Sequence, residues 1–211
     1  MINPDAAVEM IVAEWKAKSD RQALLVAISG IDGSGKGYIA AKIAEQLTQK
    51  DLRVATVNID GWLNLPHLRF SVSHPAEQFY HYAFRFDELF AQLIMPLRDR
   101  RSIDLEIDFT EETATDYRRH RYQFHAIDII LLEGIFLLRR SLQPNYDVSF
   151  WIDCRFETAL KRAIARSQEG LSPADTTAAY ETIYFPAQRL HFAQDQPRSA
   201  ATAIIHNDEP P

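Results

Sequence analysis

The sequence predicts an α/β protein in three layers, with a mostly parallel five-stranded sheet between helices, plus a small antiparallel hairpin. Short apolar runs alternate along the chain with segments whose apolar residues repeat at helical spacing. The runs contain few polar residues, as strands covered on both faces require. A glycine-rich stretch separates the first run from the helical segment after it. With 211 residues, the chain is expected to form a single domain, residues 1–211, with a full core.

The glycine-rich stretch, residues 30–37, reads Gly-Ile-Asp-Gly-Ser-Gly-Lys-Gly and matches the spacing G-x-x-x-x-G-K of the Walker A motif. Backbone N–H groups of such a loop can surround a polyphosphate, and the positive end of the following helix adds to the attraction. Lys36 is expected to reach the β and γ phosphates. The last motif position, normally a Ser or Thr that binds Mg²⁺, is Gly37. The residues expected to contact ATP here are Gly30, Asp32, Gly33, Ser34, Gly35, Lys36, Gly37 and Tyr38.

Two acidic residues follow predicted strands. Asp60 comes after the strand at residues 53–59, and Glu133 comes after the strand at residues 127–132. In open α/β sheets the ligand crevice lies outside the carboxyl ends of the strands, so both acids are suited to chemistry. For Asp60, an ordinary Asp-Gly turn is the alternative interpretation.

The remaining pattern completes the alternation of strands and helices. A loop crossing the active face is expected at residues 62–80, and period-two alternation at residues 103–109 predicts a half-exposed hairpin strand. Residues 117–122 combine basic and aromatic side chains. This composition is typical of a nucleic-acid contact or of a solvated hairpin arm near an anionic ligand, and the net negative charge of the chain favours the hairpin arm. The other predicted elements are an opening helix after Asn3-Pro4, a long helix over residues 86–97, a strand at 148–152, helices over 155–168 and from Pro173 until Pro186 interrupts, and a strand at 202–205.

Composition limits the functional classes. The net charge of −6 argues against a general nucleic-acid binder, and the single cysteine, Cys154, excludes an internal disulfide. No apolar run approaches the ~20 residues that span a bilayer, and the N-terminus does not resemble a targeting segment. We therefore expect a cytoplasmic protein with no membrane or nucleic-acid partner. The oligomeric state is not readable from the sequence, and a homo-oligomer stays open.

Several stretches in order resemble the uridine kinase-like branch of the P-loop kinases, which is related to phosphoribulokinase and pantothenate kinase. Together they extend from residue 24 to about residue 207. Of these stretches, only the glycine loop is a specific motif by itself. The resemblance depends on the presence of all the stretches in this order. The stretches are residues 30–36, Asp60-Gly61-Trp62, His74-Pro75 with the helix after it, residues 132–136, residues 162–166 and residues 184–189.

The resemblance implies a P-loop NTPase three-layer sandwich with a helical lid at about residues 155–172 and an acceptor subdomain at about residues 99–124. It implies that Asp60 takes the proton from the accepting hydroxyl and that Lys36 assists in catalysis. Glu133 and Asp60 would hold Mg²⁺. Lid arginines, here Arg162 and Arg166, would touch the nucleotide phosphates. Acceptor contacts would come from the hairpin and from the loop after the second strand, and the residues chosen there are Tyr80, Phe109, Tyr117 and Arg189.

The implied activity is transfer of the γ-phosphate of ATP, with Mg²⁺, to a small hydroxyl-bearing acceptor, most simply a uridine-like nucleoside. Pantothenate, a phosphorylated sugar or a pyridine riboside are alternative acceptors. The chain has Asp-Gly-Trp where the family usually has Asp-Asp/Ser-Phe-Tyr, and Gly37 removes a metal ligand. A kinase that uses water in place of that ligand, a nucleotide-binding sensor or scaffold with little transfer, and a residue altered in the protein as prepared all stay open.

Overall fold

The computed structural model describes residues 1–18, 22–166 and 170–208. Within these ranges, seven strands lie in two sheets. The strands are β1 (Leu24–Gly30), β2 (Val54–Asn58), β3 (Ile103–Phe109), β4 (Arg118–Phe124), β5 (Ile129–Gly134), β6 (Val148–Asp153) and β7 (Ala203–His206). The helices are α1 (Pro4–Ala17), α2 (Lys36–Thr48), α3 (Pro66–Arg69), α4 (Pro75–Tyr82), α5 (Phe86–Glu88), α6 (Met95–Arg100), α7 (Phe156–Arg166), α8 (Pro173–Ala179), α9 (Phe185–Asp195) and α10 (Pro197–Ala200).

The main sheet has the order β2-β5-β1-β6-β7, and every pair in it is parallel. This confirms the predicted five-stranded sheet. Strand β1 lies at its centre, hydrogen-bonded to β5 on one side and β6 on the other. All seven residues of β1 are buried, so neither face of the strand is exposed to solvent, as its unbroken apolar sequence predicts.

Helices cover both faces of the main sheet. Leu24, Val26 and Ile28 point to a core that also contains residues of α1 and α2, while Leu25 and Ala27 point to a second core under α4 and α9. Successive side chains of a strand alternate between faces, so β1 contributes to both cores. The architecture is therefore the predicted three-layer sandwich.

The hairpin and the opening helix also agree with the sequence. Strands β3 and β4 pair antiparallel from Ile103 with Phe124 to Phe109 with Arg118. On the exposed face of the hairpin, Arg119 pairs with Asp108 and Arg121 pairs with Asp104. These bases therefore form ion pairs within a solvated hairpin. At the N-terminus, Asn3 Oδ1 accepts a hydrogen bond from the Ala6 N–H over 2.8 Å, which caps α1.

Two expectations about helices are wrong. Residues 62–80 are not one loop, because they contain α3 and most of α4. Pro186 does not interrupt the helix that begins at Pro173. A π-helical segment, Tyr180–Tyr184, joins α8 to α9, and Pro186 is the second residue of α9. The wider π turn displaces the carbonyl that a proline ring would otherwise meet.

The same arrangement occurs in the predicted long helix over residues 86–97. A π segment, Leu89–Ile94, joins α5 to α6, and Pro96 is the second residue of α6. The apolar stripe of this helix is buried, as expected. Helix α7 lies within the predicted lid, and residues 167–169 of that lid fall outside the described part of the chain. Among the described residues, no helix is long and apolar enough to cross a membrane.

Candidate active site

The phosphate loop, residues 30–37, connects β1 to α2 and forms the floor of a cavity of about 670 Å³. Gly33 and Gly35 have φ of +73° and +82°, a conformation that favours glycine. A Cβ at Gly33 would lie 2.5 Å from the Ala159 carbonyl oxygen, so the loop backbone also needs glycine to approach α7. The structure therefore confirms the two elements that the motif predicts, a glycine turn after β1 and a helix after the turn.

The carboxyl ends of β5 and β2 bring the two predicted acids to this cavity. Glu133 lies opposite Asn58 of β2 and Ile28 of β1 in the sheet, and Asp60 follows β2 in a 3₁₀ turn, Ile59–Trp62. The Asn58 side chain accepts the Asp60 N–H over 2.7 Å and fixes that turn. Lys36 Nζ lies 3.9 Å from Glu133 Oε1. The lysine and both acids, which are distant in sequence, thus line one cavity.

The site raises the pKa values of both acids. Burial raises the pKa of Glu133, Lys36 opposes that shift, and the charges of Asp60 and Asp32 add to it. The Asp60 side chain opens onto the cavity, yet the surrounding protein removes enough solvent to raise its pKa against the opposing charge of Lys36. Carboxyl groups that hold protons above the usual range are common where acid–base chemistry takes place.

Gly37 faces Glu133 from the first turn of α2. A Cβ at Gly37 would lie 3.9 Å from the carboxyl carbon and both oxygens of Glu133, which is ordinary van der Waals distance. The described residues contain no cluster of three or more His, Cys, Asp or Glu that could hold a metal ion alone. A hard cation such as Mg²⁺ would therefore share Glu133 and Asp60 with phosphates and water, which is its usual manner of binding.

Asp32 of the phosphate loop connects it to two helices. Its carboxylate accepts the Gly33 N–H over 2.9 Å and a short hydrogen bond from the Tyr180 hydroxyl. Arg166 Nη2 lies 3.9 Å from Asp32 Oδ1, and its half-exposed side chain lines the cavity. Arg166 is thus next to the phosphate loop, and its contact with nucleotide phosphates stays a prediction.

Arg162 also lines the cavity, but its guanidinium contacts the back of the phosphate loop. Its Nη1 donates to the Ser34 carbonyl over 3.2 Å and to the Asn207 carbonyl over 2.8 Å. Asn207 donates from its side chain to the same Ser34 carbonyl over 2.8 Å. Asn207 was not among the predicted residues, although its position after the last strand, at the carboxyl edge of the sheet, could have indicated it.

The other end of the cavity is aromatic and apolar. Phe79 contacts Tyr184 edge to face, with ring centroids 5.0 Å apart, and stacks on Phe70 at 5.9 Å. These side chains come from α4, the π segment before α9 and the loop after α3, which have no shared sequence period. Sequence reasoning therefore missed them. The side chains of this apolar end are Leu63, Phe70, Phe79, Phe84, Ile135 and Tyr184, with Arg69 and Glu112 beside them.

The four residues chosen for acceptor contact lie in different places. Phe109 packs against Gly61 and lines a second cavity, of about 440 Å³, which also borders Asp60. Tyr117 lies under the Arg85 guanidinium, 4.6 Å away, and Arg189 lies over the Phe156 ring at 5.1 Å. Neither Tyr117 nor Arg189 lines the two cavities that border Asp60.

Tyr80 lies in the core. Its hydroxyl donates to Asp195 Oδ2 over 2.5 Å, and His191 Nδ1 lies 2.7 Å from the same oxygen. Burial opposes ionisation of Asp195, but the hydrogen bonds from His191, Tyr80 and the Arg140 N–H lower its pKa to about 2. Because its hydroxyl is bonded to this buried carboxylate, Tyr80 stabilises the packing of α4 on α9 and does not reach the cavity.

Comparisons with known proteins agree with this geometry. No protein-family model matches the chain. A uridine kinase of Alkaliphilus metalliredigens is 27% identical over 191 residues, 86% of each chain. A Bacillus stearothermophilus structure described as a possible uridine kinase has a TM-score of 0.72 at 18% identity and covers 96% of each chain.

The same fold also occurs in a kinase with another acceptor. The D-glycerate 3-kinase of Cryptococcus neoformans has a TM-score of 0.64 at 12% identity, over 89% of this chain and 87% of that one. With its glycine loop and two strand-end acids, the chain is similar to the uridine kinase-like branch of the P-loop kinases, and these relatives support an ATP-dependent kinase.

Proposed function

We propose that the protein transfers the γ-phosphate of ATP to a hydroxyl group of a nucleoside-like acceptor, most simply the 5′-hydroxyl of a uridine-like nucleoside. The observation that carries this proposal is the division of the cavity into a polar end, with Lys36, Asp60 and Glu133, and an aromatic end around Phe79 and Tyr184. A planar base favours contact with aromatic rings. The name of the curated relative from Alkaliphilus metalliredigens supports the same acceptor.

In this proposal the phosphate loop and Lys36 bind the β and γ phosphates of ATP at the positive end of α2. Arg166, beside Asp32 at the cavity wall, adds positive charge near the transferred group. Mg²⁺, shared between Glu133, Asp60 and the phosphates, would neutralise charge on the β and γ oxygens. Because these charges are in place before the reaction begins, they stabilise the charge that develops in the transition state, and this stabilisation supplies most of the rate enhancement.

Asp60 acts as the general base. Its carboxylate takes the proton of the acceptor hydroxyl while that oxygen forms a bond to the γ-phosphorus and the bond from phosphorus to the ADP oxygen breaks. The products are ADP and the phosphate ester of the acceptor. Its raised pKa suits this role, since a stronger base accepts the proton more readily.

A panel assay tests the acceptor class. ADP release is measured with purified protein, ATP and Mg²⁺ against uridine, cytidine, adenosine, pantothenate, fructose and glycerate. We expect turnover above the ATPase background with a pyrimidine nucleoside. Turnover with only glycerate or fructose would refute the nucleoside assignment, and ATP binding without any turnover would favour a nucleotide sensor.

The Asp60→Asn variant tests the mechanism. We expect turnover to fall by a factor of about 100 or more, the usual contribution of a general base, with little change in ATP affinity. Asp87→Asn is the matched control, because Asp87 is an exposed acid on α5 outside the cavity. Equal rates for Asp60→Asn and Asp87→Asn would remove Asp60 from the mechanism.

A further inference from the structure

The carbonyl oxygen of Ser34, at the back of the phosphate loop, accepts two side-chain hydrogen bonds. Asn207 Nδ2 donates to it over 2.8 Å, and Arg162 Nη1 donates over 3.2 Å. The same Arg162 nitrogen donates to the main-chain oxygen of Asn207 over 2.8 Å. These three residues form a closed set of hydrogen bonds, which we call the Ser34 brace.

Other contacts hold the Asn207 end of the brace in place. The Asn207 N–H donates to the Asp153 carbonyl over 2.8 Å, which extends the pairing of β7 with β6. Asp208 accepts the Arg155 N–H over 2.9 Å and its Nε over 2.8 Å. The segment after β7 is therefore attached to the residues that begin α7, and Asn207 meets the phosphate loop from a fixed position.

The contact with the loop is close. A Cβ at Gly35 would lie 2.4 Å from Asn207 Nδ2, a separation that side chains do not adopt. Gly35 is therefore needed for its φ of +82° and also because Asn207 occupies the space beside it. A hydrogen bond this crowded restricts how the Ser34–Gly35 peptide can rotate.

The orientation of this peptide has a direct chemical consequence. A trans peptide unit is planar, and its C=O and N–H groups point in opposite directions. When the brace holds the Ser34 carbonyl toward Asn207, the Gly35 N–H is turned away from Asn207. Gly35 lines the cavity, and no residue in the described ranges accepts a hydrogen bond from its N–H. This donor is available to an anion in the cavity.

We propose that Asn207 and Arg162 are positioning residues, which orient the Ser34–Gly35 peptide so that the Gly35 N–H donates to a phosphate of the bound nucleotide. The inference rests on the proposed function, in which the cavity holds the polyphosphate of ATP. It gives Arg162 a role behind the loop, in place of the direct phosphate contact that the resemblance implies. Arg166, which lines the cavity 3.9 Å from Asp32, is then the arginine proposed to contact the phosphates.

Equilibrium binding of ATP, GTP and inorganic tripolyphosphate to Asn207→Ala tests the proposal. The brace acts on the phosphate loop, so the Kd should rise for all three ligands by a similar factor, about three- to tenfold for one lost hydrogen bond. Asn145→Ala is the matched control, since Asn145 also donates from its side chain to a main-chain oxygen, that of Leu142, far from the cavity. It should change no Kd.

Arg162→Lys is a second variant, which tests the proposal even if Asn207→Ala fails to fold. Lysine keeps the charge but not the planar fork of the guanidinium, so we again expect an equal rise in all three Kd values. In turnover assays, both variants should raise the KM for ATP and leave the KM for the acceptor unchanged.

The pattern of affinities decides the outcome. Weaker binding of ATP alone, with GTP and tripolyphosphate unaffected, would mean that Asn207 contacts the base, and it would overturn the proposal. Unchanged affinity for all three ligands in both variants would overturn it as well. If the unmodified protein bound none of the three, the proposed function itself would fail, which is a different result from failure of the brace.

Discussion

Gly37→Ser is the substitution that most directly probes the missing hydroxyl of the phosphate loop. The structure accommodates the change, because a Cβ at this position would lie 3.9 Å from the Glu133 carboxyl group. The added hydroxyl would extend toward the region where Glu133 and the phosphates share Mg²⁺ in the proposed site. Gly37→Ala is the matched control, since it adds the Cβ without the oxygen.

Two effects of known size are expected. Replacing glycine in a helix by alanine gains about 0.5 to 1 kcal/mol in a helix interior and less in a first turn, so Gly37→Ala should raise Tm by up to about 4 °C. If exchanging one water ligand for the hydroxyl gains about as much as one hydrogen bond, about 1 kcal/mol, the Mg²⁺ concentration for half-maximal turnover should fall about fivefold. Only Gly37→Ser should have the second effect.

Turnover measured over a Mg²⁺ titration at saturating ATP, together with thermal denaturation of each variant, separates the two effects. The expected result is a lower half-saturating Mg²⁺ concentration for Gly37→Ser than for Gly37→Ala and the unmodified protein. Identical titrations for the three proteins would refute the reasoning and would mean that water serves as well as a hydroxyl at this position.

Three further predictions follow from the pKa shifts and the core. Because burial raises the pKa of Asp60 in the metal-free protein, the ionised carboxylate costs stability, so Asp60→Asn should raise the Tm measured at pH 7 without Mg²⁺; a lower Tm would contradict this. The raised pKa of Glu133 means that the folded state binds its proton more tightly than the unfolded chain, so folding stability falls as pH rises through that pKa. Glu133→Gln should therefore raise Tm at pH 7, and a lower Tm would contradict it. Tyr80→Phe should lower stability by about 1 to 2 kcal/mol while the KM for the acceptor stays constant, and a changed acceptor KM would return Tyr80 to the binding site.

The sheet and the polar end of the site were predictable because both depend on local sequence. The unbroken apolar strands, the glycine loop and the acids after β2 and β5 follow from short-range pattern and from one rule about where parallel strands end. Lys36, Asp60 and Glu133 line one cavity in the structure as this rule predicts.

The aromatic end was not predictable in the same way. Phe70, Phe79 and Tyr184 come from separate elements, and only tertiary packing brings them together. Pro186 misled the prediction of a helix end, because a π segment is decided by packing and has no simple sequence signal. Helical spacing places the neighbours Phe79 and Tyr80 of α4 on different faces, but it does not say which face meets the cavity; in the structure Phe79 lines the cavity and Tyr80 lies in the core.

The central location of β1 has a consequence for the order in which the protein folds. Its two neighbours, β5 and β6, begin about a hundred residues later in the chain, so a nascent polypeptide carries the glycine loop long before the strands that support it exist. Pairings so distant in sequence form slowly. In ribosome-bound chains that end before Val148, one edge of β1 would be unpaired and could pair with other chains. We expect nucleotide binding only after β6 has left the ribosome and paired with β1.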